Sequence, residues 1–590
     1  MIVRDRVRRP AMVSRIAPDR DRPTSVVKLG LLVALALGLV YALTSAGRLV
    51  SLDGGVMYDT ATRIVDQHTL ALLPHHHGMP GVGGGYYSKY GIAQSVAEIP
   101  LYTVGQALAA PIADPLGHKI AMALTLLTNS VITALAVLLF FLLAYELGAR
   151  RRDATVAALL IGLASPYWPY AKTDFSEPLS ALALTGAVLY LVRARSRAGT
   201  APYVVSGLFM AVALLTKLTA LFALPALGLY AFYIALDMAP RRGSLVRNQE
   251  SSFDVAPPGT AGILPASVCR QDAGSPRGDV PLQKSPFGIT LGPLADRWRS
   301  VGVGGTDLLA ALPRLVAWGA PIAAGLATAA AYNLARYGRL TDTGYRSPED
   351  LPFHAPLLTG LEGLLVSPGK GLLWYCPLVV LALALWPLLM RRRRAEGLLA
   401  LGVIAPTLVV FATYPVWWGG HDWGPRYLLP LLPLILLPLA FALEVLARRA
   451  VVRRLAVALV ALSVAVQVLG VAVDGERFLQ TGFNTQAREQ QTLWVAGDSP
   501  LLAHAWLLGY DAARVAAPGA AAGMLAGYPW RHATGTSLSQ RIAIDTPDFD
   551  YWWWQWLGRY GLNPLVEIAV ALAGLVVLGV VVRRMAGLCR

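Results

Sequence analysis

The chain has 590 residues, 55% of them hydrophobic and only 15% charged, which excludes a soluble globular protein because such a protein needs far more charge to cover its surface. The apolar residues come in blocks of about 20, the length of helix that crosses a ~30 Å hydrocarbon core, whereas a membrane β-barrel would show short alternating segments. The formal net charge is +16, but the arginines stand in short runs between apolar blocks, a pattern that orients a membrane protein and argues against a nucleic-acid partner.

About twelve apolar segments are long enough to be predicted as transmembrane helices, which makes the expected fold an all-α polytopic membrane protein. They lie near 28–49, 119–145, 154–171, 178–193, 202–216, 218–236, 313–332, 371–390, 397–415, 427–447, 455–473 and 564–583. Arginine clusters fall on every second side of these segments, from the run between Arg4 and Arg22 to Arg583-Arg584. Because positively charged loops stay in the cytoplasm, the sequence predicts a multi-pass protein of a bacterial-type inner membrane, with a retained first span and both termini cytoplasmic.

This topology divides the chain into six consecutive segments. They are a basic cytoplasmic N-terminus (1–27), an N-terminal transmembrane module with a long first external loop (28–236, loop 50–118), a flexible cytoplasmic insertion (237–312), a C-terminal transmembrane module (313–473), an external, periplasmic subdomain (474–563), and a last transmembrane helix with a cytoplasmic tail (564–590). The insertion is rich in Pro, Gly and Ser and carries mixed charge, a composition typical of disorder. Segment 92–112 is apolar but the charge alternation leaves no room for another span, so an interfacial or re-entrant helix is predicted there.

The first external loop contains two charged residues that suit chemistry at the membrane surface. Asp53 follows the first span, where a carboxylate meets both a lipid headgroup and a water-borne acceptor; the alternative is an exposed carboxylate at a helix end. Lys89 lies between tyrosines in the segment 85–91, and a cation with aromatic neighbours at headgroup level suits a phosphate. The alternative for Lys89 is a lysine that snorkels to the interface.

The loop 172–178 joins two predicted spans on the external side and carries two acidic residues, Asp174 and Glu177. They are candidates to orient an acceptor or to hold a cation. The alternative is a pair of solvated charges that favour the dipole of the following helix, at whose first position Pro178 fits well.

The loop 414–427 combines three kinds of residue that suit a phosphorylated sugar. Its glycines allow close approach of the backbone, Trp417 and Trp418 offer faces for stacking on a sugar, and Arg426 offers a bidentate fork for phosphate. The alternative is an aromatic belt with an arginine at the interface.

Two other stretches suggest ligands that the sequence does not support. Lys370 lies in a glycine-containing segment that resembles a phosphate loop only superficially, without the preceding strand or the Gly-Lys-Ser/Thr order, so nucleotide binding is rejected. Lys370 is still expected near a helix N-terminus, where it can contact an anion. Three adjacent histidines at 75–77 cannot all face one ion and have no matched Cys or carboxylate, so no metal site is predicted.

Taken in order, these stretches resemble the GT-C glycosyltransferase superfamily, in the glycosyltransferase family 39-like branch that holds bacterial protein O-mannosyltransferase-like enzymes and the aminoarabinose transferases of lipid A. The resemblance covers roughly residues 28–450. The matching positions are residue 53 and the segments 87–90, 175–179, 332–338, 343–345, 363–377 and 417–430. The resemblance implies a GT-C-like fold, a polyprenyl-phosphate sugar donor, an external active site and inversion at the anomeric carbon.

The resemblance also implies roles for individual residues. Asp53 corresponds to the essential acidic residue of the first external loop, Lys89 to the lysine that faces lipid phosphate, and Glu177 or Asp174 to a second acidic position. There are two departures from the family pattern. Asp53 is followed by Gly54 where many relatives carry a second acid, and Tyr90-Gly91-Ile92 stands where Lys-Pro-Pro or Tyr-Pro-Pro is usual.

The resulting hypothesis is an inverting hexosyl- or pentosyltransferase whose acceptor is a cell-envelope glycan, lipid or protein, working among membrane lipids and without nucleic acid. Asp53 is the expected catalytic base, and Arg426, Lys89 and Lys370 are expected to bind the donor phosphate. The residues expected to contact sugar or lipid are Tyr87, Tyr90, Trp417, Trp418, His421 and Tyr345.

The scheme requires no cofactor, although the sequence leaves open whether a divalent cation assists. Two other functions also stay open. One is a lipid or sugar transporter or flippase, which would be expected to show inverted repeats and ionisable residues near mid-membrane. The other is an assembly partner without catalysis.

Overall fold

The structure, a computed structural model, describes residues 23–74, 77–114, 116–237, 305–346, 354–480, 486–517, 523–524, 549–553 and 564–589. These residues form helices with one small sheet, so the predicted all-α class is confirmed. Most of the predicted insertion at 237–312, much of the external subdomain at 474–563, and His75 and His76 lie outside the described residues.

Nine helices in the described part of the chain are long and apolar enough to cross a membrane, as expected for a multi-pass membrane protein. They are Thr24–Leu43, Leu116–Glu146, Glu177–Ala194, Leu218–Asp237, Leu308–Tyr337, Arg394–Ala412, Arg426–Leu446, Ala450–Ala472 and Ala571–Leu588. Each coincides with a predicted span. The predicted count of twelve is not confirmed, because the other three predicted spans fall on shorter or interrupted helices.

Proline explains two of these interruptions. The predicted span 154–171 divides into a helix at Arg151–Leu163 and a five-residue helix at Tyr167–Ala171, with Pro166 between them. The predicted span 371–390 divides into Leu372–Tyr375 and Leu378–Arg392 around Pro377, which has no N–H to donate and starts the second helix. The third, at 202–216, is a continuous helix of 16 residues, Ala201–Thr216.

The first half of the chain provides helices α1–α9 and strands β1–β3. Their bounds are α1 Pro23–Leu43, α2 Leu52–Gln67, β1 Ala71–Leu72, β2 Met79–Pro80, β3 Tyr86–Tyr87, α3 Ile92–Ala109, α4 Leu116–Glu146, α5 Arg151–Leu163, α6 Tyr167–Ala171, α7 Glu177–Ala194, α8 Ala201–Thr216 and α9 Leu224–Asp237, with 3₁₀ turns at Val82–Gly84 and Leu218–Ala223. The strands form an antiparallel sheet in the order β1-β3-β2, which the sequence did not predict, whereas α3 occupies the segment where a helix was predicted.

The second half of the chain is built from further helices and three 3₁₀ segments, two of them within the long span at Arg426–Leu446. Its helices are Gly305–Tyr337, Leu357–Val366, Leu372–Tyr375, Leu378–Arg392, Arg394–Ala412, Leu432–Ile435, Ala442–Leu446, Ala450–Ala472, Gly475–Gln480, Gln486–Trp494, Pro500–Ala516 and Pro564–Cys589, and its 3₁₀ segments are Arg426–Leu431, Leu437–Phe441 and Ala496–Asp498. Prolines at 430, 433 and 438 divide the Arg426–Leu446 span into short helical pieces, because each removes a backbone donor.

The core lies around α4, which packs against α1, α3, α5 and α7. Small residues allow the close approach: Ala154, Ala157 and Ala158 of α5 are fully buried, as expected where helices associate through small side chains. The ends of several helices meet at one end of this bundle. There the start of α2, the start of α7, the end of α8 and the start of the Arg426–Leu446 span come together and form the candidate site.

Candidate active site

Asp53 lies in the first turn of α2, where the helix dipole favours a carboxylate. The helix begins cleanly because the Ser51 hydroxyl accepts a hydrogen bond from the Gly54 N–H at 2.9 Å. The Tyr90 hydroxyl donates to Oδ1 of Asp53 at 2.6 Å, and Nη1 of Arg426 lies 3.1 Å from Oδ2. The carboxylate is therefore held from two sides, yet 29% of its side chain stays exposed.

The surroundings of Asp53 keep it ionised. Burial raises its pKa, but the positive charge of Arg426 and the hydrogen bond from Tyr90 more than offset this and hold the pKa below its ordinary value. Burial and the charge of Asp53 raise the pKa of Tyr90, so the tyrosine keeps the proton that it donates. Asp53 is thus a carboxylate at neutral pH, and its strength as a base depends on how closely the Arg426 guanidinium contacts it.

Arg426, predicted as a phosphate-binding residue, lies among three carboxylates. Besides Asp53, its Nε lies 3.1 Å from Oδ2 of Asp422 and 3.7 Å from Oε1 of Glu177. The guanidinium also lies over the ring of Phe175, 4.7 Å from its centroid. The contact with Asp422 is an ion pair without hydrogen-bond alignment, because neither Nε of Arg426 nor Oδ2 of Asp422 has a hydrogen-bond partner within the described residues. Arg426 therefore connects the acidic residues of three separate segments.

Three lysines surround this group, in different ways. Nζ of Lys217, at the end of α8, is ion-paired with Glu177 and lies 5.3 Å from the ring centroid of Tyr427. Nζ of Lys370 donates to both the carboxylate and the carbonyl of Asp422, and only 4% of the Lys370 side chain is exposed. Lys370, which was predicted to bind phosphate, is thus engaged in a buried ion pair with Asp422. Lys217, which the sequence analysis did not select, contacts the central cluster directly.

Lys89 lies on the other side of Asp53, among aromatic rings. Its Nζ is 4.9 Å from the ring centroid of Tyr345 and 6.0 Å from that of Tyr90. The charge of Lys89 also contributes to the low pKa of Asp53. The structure therefore brings Lys89, Tyr90 and Tyr345 to one wall beside the candidate base.

Asp174 is buried and holds the backbone that precedes Asp53. One of its oxygens accepts hydrogen bonds from the N–H groups of Val50 and Ser51 at 3.0 and 3.2 Å, and the other accepts from the Ser51 hydroxyl at 2.8 Å. Burial raises the pKa of Asp174 to about 6, against the effect of these hydrogen bonds. Asp174 therefore contacts the start of α2 from behind and positions Asp53.

The same contact explains why a glycine follows Asp53. A Cβ atom on Gly54 would lie 2.1 Å from Cγ of Asp174, so no second acid fits at this position. The other departure from the family pattern has a similar cause. A Cβ atom on Gly91 would lie 2.2 Å from the Leu215 carbonyl oxygen, which excludes any larger residue. Both glycines are required by close approach between segments distant in sequence.

The segment after β3, which carries Lys89 and Tyr90, is held by Arg336 and Tyr337. Arg336 is buried, and its Nη1 donates to the carbonyls of Ser88 and Tyr90. The Tyr337 hydroxyl donates to the Ser88 carbonyl at 2.8 Å. The sequence analysis included Arg336 and Tyr337 in the family pattern but gave them no role. In the structure they anchor the wall beside Asp53.

Three predicted sugar-contacting residues lie away from Asp53. Tyr87 donates its hydroxyl to the Val82 carbonyl at 3.1 Å and packs edge-on against Tyr337, within the small sheet. Trp417 is buried against Gly363, where a Cβ atom would lie 2.3 Å from its ring. Trp418 packs edge-on against Trp417, with ring centroids 5.7 Å apart. These contacts are packing contacts.

Two clefts adjoin the charged cluster. The first takes in about 470 Å³ of non-protein space, partly open to solvent, and runs along α7 from Glu177 to Leu184, with Lys217 beside Glu177. Its remaining wall is almost entirely apolar, from α8, the Leu218–Ala223 turn and the Arg394–Ala412 helix. The second encloses about 840 Å³ of non-protein space, partly open to solvent, and is lined by Asp422, Lys370 and the exposed His421. Within the described residues no group of three or more His, Cys, Asp or Glu side chains is placed to hold a metal ion.

No family model and no curated protein sequence matches this chain. Its fold is similar to that of ArnT from Cupriavidus metallidurans bound to undecaprenyl phosphate, at 15% identity and a TM-score of 0.40, over 89% of this chain and 77% of that one. ArnT is an aminoarabinose transferase, and like the second similar protein it has the GT-C fold.

The second is the archaeal oligosaccharyltransferase AglB from Archaeoglobus fulgidus in complex with an inhibitory peptide and a dolichol-phosphate, at 13% identity and a TM-score of 0.38, over 79% of this chain and 58% of that one. The chain thus spans under two thirds of the length of AglB. At these low identities and scores, a functional assignment has to come from the site itself.

Proposed function

We propose that this protein is a membrane glycosyltransferase that moves a sugar from a polyprenyl-phosphate donor to an acceptor hydroxyl. The observation that carries the proposal is Asp53, a partly exposed carboxylate held by Tyr90 and Arg426 beside an apolar cleft that ends in a lysine. The arginine clusters of the sequence support an active site on the external face of a bacterial-type inner membrane, with both termini in the cytoplasm.

The donor occupies the first cleft. An isoprenoid chain is wholly apolar, and the wall from Leu184 to the Arg394–Ala412 helix offers it a matching surface between membrane-spanning segments. Lys217 stands where that wall meets the charged cluster, so the phosphate lies against Lys217, with Lys89 on the opposite side of Asp53. Arg426 is within reach of the same anion once its carboxylate contacts rearrange.

The reaction is a single displacement. The acceptor oxygen attacks the anomeric carbon, its proton passes to the carboxylate of Asp53, and the bond from carbon to the phosphate oxygen breaks with its electron pair leaving on the lipid phosphate. The configuration at carbon inverts because only one displacement occurs. The leaving group is a weak base and needs no general acid, but it needs positive charge where its negative charge grows, and Lys217, Lys89 and Arg426 supply that charge.

Donor binding also activates the base. Arg426 is the main source of positive charge that lowers the pKa of Asp53 against the effect of burial. When the phosphate attracts this guanidinium, Asp53 loses part of that stabilisation and becomes a stronger base. Proton transfer is thereby favoured only when a donor is in place.

The test is release of lipid phosphate by the purified protein from a panel of polyprenyl-phosphate sugars. Asp53→Asn keeps the shape of the side chain but cannot accept the proton, so we expect turnover to fall about 10²-fold or more. The matched control is Asp59→Asn, which changes an acid on the same helix outside the cluster and is expected to keep wild-type turnover. Wild-type turnover in Asp53→Asn would remove Asp53 from the mechanism. Transport of intact donor without phosphate release would contradict the proposal as a whole and support a flippase.

A further inference from the structure

The second cleft shares no lining residue with the donor cleft, and the two adjoin different members of the charged cluster. Asp422 lines the second cleft, and Asp422 contacts Arg426 at 3.1 Å, which in turn contacts Asp53 at 3.1 Å. Val50, three residues before Asp53, also lines it. One arginine side chain therefore separates this cleft from the carboxylate that accepts the proton.

The charges in and behind the walls of this cleft cancel one another. Nζ of Lys172 lies 2.6 Å from the carboxylate of Asp550, and Lys370 is ion-paired with Asp422. Arg48, behind the wall, lies 2.8 Å from Asp474 and 2.9 Å from Asp550. Three cations are thus balanced by three carboxylates: Lys172, Lys370 and Arg48 by Asp422, Asp474 and Asp550. The lysines of these pairs are buried, with 4% of the side chain exposed in both Lys172 and Lys370 against 23% in Lys217 of the donor cleft, so a phosphate would have to displace a buried carboxylate to reach them.

The rest of the lining suits a sugar. Phe175 and Trp423 line the cleft with mostly buried rings, 7% and 8% exposed, and the exposed His421 and the hydroxyl of Thr173 supply polar groups. A cleft with an apolar lining and a few polar groups is typical of sites for small ligands.

A peptide fits the cleft less well than a sugar. An extended peptide binds most readily by adding a strand to an open edge. In this wall the extended residue Val473 is already bridged to Phe549, and the Asp550 N–H donates to the Ala472 carbonyl at 3.0 Å. The carbonyl of Val471 accepts from Lys172 at 2.7 Å. The backbone groups that a peptide strand would use are therefore engaged within the protein.

We infer that this cleft is the acceptor site and that it takes a neutral carbohydrate, whose hydroxyl is presented to Asp53. The inference rests on the proposed function and narrows it, because it selects a neutral glycan over a phosphorylated lipid or a protein. It assigns the two clefts to the two substrates, with the Arg426 cluster between them at the site of transfer.

A glycine in the lining permits a sharp test. Among the described residues, a Cβ atom on Gly475 would meet only the His421 carbonyl oxygen, at 3.6 Å, which is an ordinary van der Waals contact, and Gly475 lines the cleft. Gly475→Leu is expected to raise the KM for the acceptor about 10-fold or more by filling space that the sugar needs. The matched control is Gly497→Leu, at a glycine whose Cβ would meet open space outside the cleft. His421→Ala is a second variant and is expected to raise the same KM.

The acceptors to be compared are octyl glycosides of neutral di- and trisaccharides, a phosphorylated glycolipid, and a peptide containing Ser and Thr. Transfer to the neutral glycosides, with a raised KM in Gly475→Leu but not in Gly497→Leu, supports the inference. Preferred transfer to the phosphorylated glycolipid or to the peptide overturns it, as does an unchanged KM for the neutral glycosides in Gly475→Leu.

Slow release of lipid phosphate with water as the acceptor is measured in every variant without any sugar acceptor. This release reports the donor side and the fold, and we expect it to be the same in Gly497→Leu and wild type. If release with water persists while Gly475→Leu and His421→Ala leave the KM for the acceptor unchanged, the acceptor inference fails and the proposed function stands. If no donor releases lipid phosphate under any condition, both fail.

Discussion

A substitution at Gly54 is the most direct way to displace the candidate base, Asp53, without replacing its side chain. A Cβ atom at this position would lie 2.1 Å from Cγ and 2.4 Å from Oδ2 of Asp174. Gly54→Ala therefore forces either the Asp174 carboxylate or the first turn of α2 to shift. Gly55 is the next residue in the same turn, and its Cβ would meet nothing within 4 Å. The two alanine substitutions are at neighbouring positions, but only Gly54→Ala introduces a clash with Asp174.

The expected size of the effect follows from the hydrogen bonds that Asp174 accepts. They come from the Val50 N–H and from the N–H and hydroxyl of Ser51, and they fix the start of the helix that carries Asp53. Loss of one hydrogen bond to a charged acceptor costs about 1.5–3 kcal/mol, which reduces the population of the competent arrangement about 10- to 100-fold. A displacement of about 1 Å at the base reduces the rate by a similar factor. We therefore expect kcat to fall about 10- to 100-fold in Gly54→Ala.

The assay is release of lipid phosphate at saturating donor, with the KM for the donor measured in parallel. Because Lys217 and the apolar cleft belong to other segments, that KM is expected to change little. Gly55→Ala is expected to keep wild-type kcat and to gain about 0.5–1 kcal/mol of stability from the replacement of a helical glycine. Wild-type kcat in Gly54→Ala, or an equal loss in Gly55→Ala, would refute the positioning role of Asp174.

Two further predictions concern the charged groups around Asp53. Because the pKa of Asp174 is raised to about 6 in the folded protein, the native state binds its proton more tightly than the unfolded chain does, and the thermal midpoint is expected to fall as pH rises from about 4 to 7. The slope is expected to be smaller in Asp174→Asn, and an identical slope would contradict the assignment. Lys217→Met is expected to raise the KM for the donor about 10-fold through loss of a charge-assisted contact to phosphate. The double variant Lys217→Met/Glu177→Gln also removes the carboxylate with which Lys217 is paired. A wild-type KM for the donor in this double variant would exclude Lys217 from donor binding.

The membrane-spanning helices could be predicted because their signal is local. A run of about 20 apolar residues is visible in the sequence without knowledge of its neighbours, and nine predicted spans coincide with helices long enough to cross a membrane. Two of the remaining predicted spans, 154–171 and 371–390, ran through helix starts near Pro166 and Pro377, which composition does not reveal, and the third, 202–216, coincides with a helix of only 16 residues. The small sheet of β1, β2 and β3 was missed because each strand has only two residues.

The residues of the site were predicted unevenly for a related reason. Asp53, Lys89 and Arg426 could be selected because each is a polar residue in a loop predicted to be external, with aromatic or glycine neighbours. Their mutual contacts, such as that between Asp53 and Arg426, join residues hundreds of positions apart and leave no trace in local spacing. Asp422 and Lys217 were overlooked as site residues because their importance lies only in the partners that the fold gives them.

Aromatic residues in the same loops were harder to assign, because stacking on a sugar and packing in a core require the same side chain. Trp417 packs against Gly363, and Tyr87 packs within the sheet, whereas Tyr345 lies over Lys89 and Tyr90 donates to Asp53. A glycine lies against the ring in both packed cases. Gly363 leaves room for Trp417, and a Cβ on Gly81 would lie 2.6 Å from the ring of Tyr87. Such pairings become visible only when both segments are in place.

In the proposed mechanism, the arrangement of charges couples donor binding to activation of the base. Arg426 contacts carboxylates on both sides, Asp53 toward the donor side and Asp422 toward the second cleft. While it holds Asp53, the base is weak; a phosphate that draws it away strengthens the base and, through Asp422, alters the wall of the acceptor cleft in the same movement. Donor binding and acceptor activation are then coupled by one side chain, since the guanidinium cannot keep all its contacts once a fourth anion arrives.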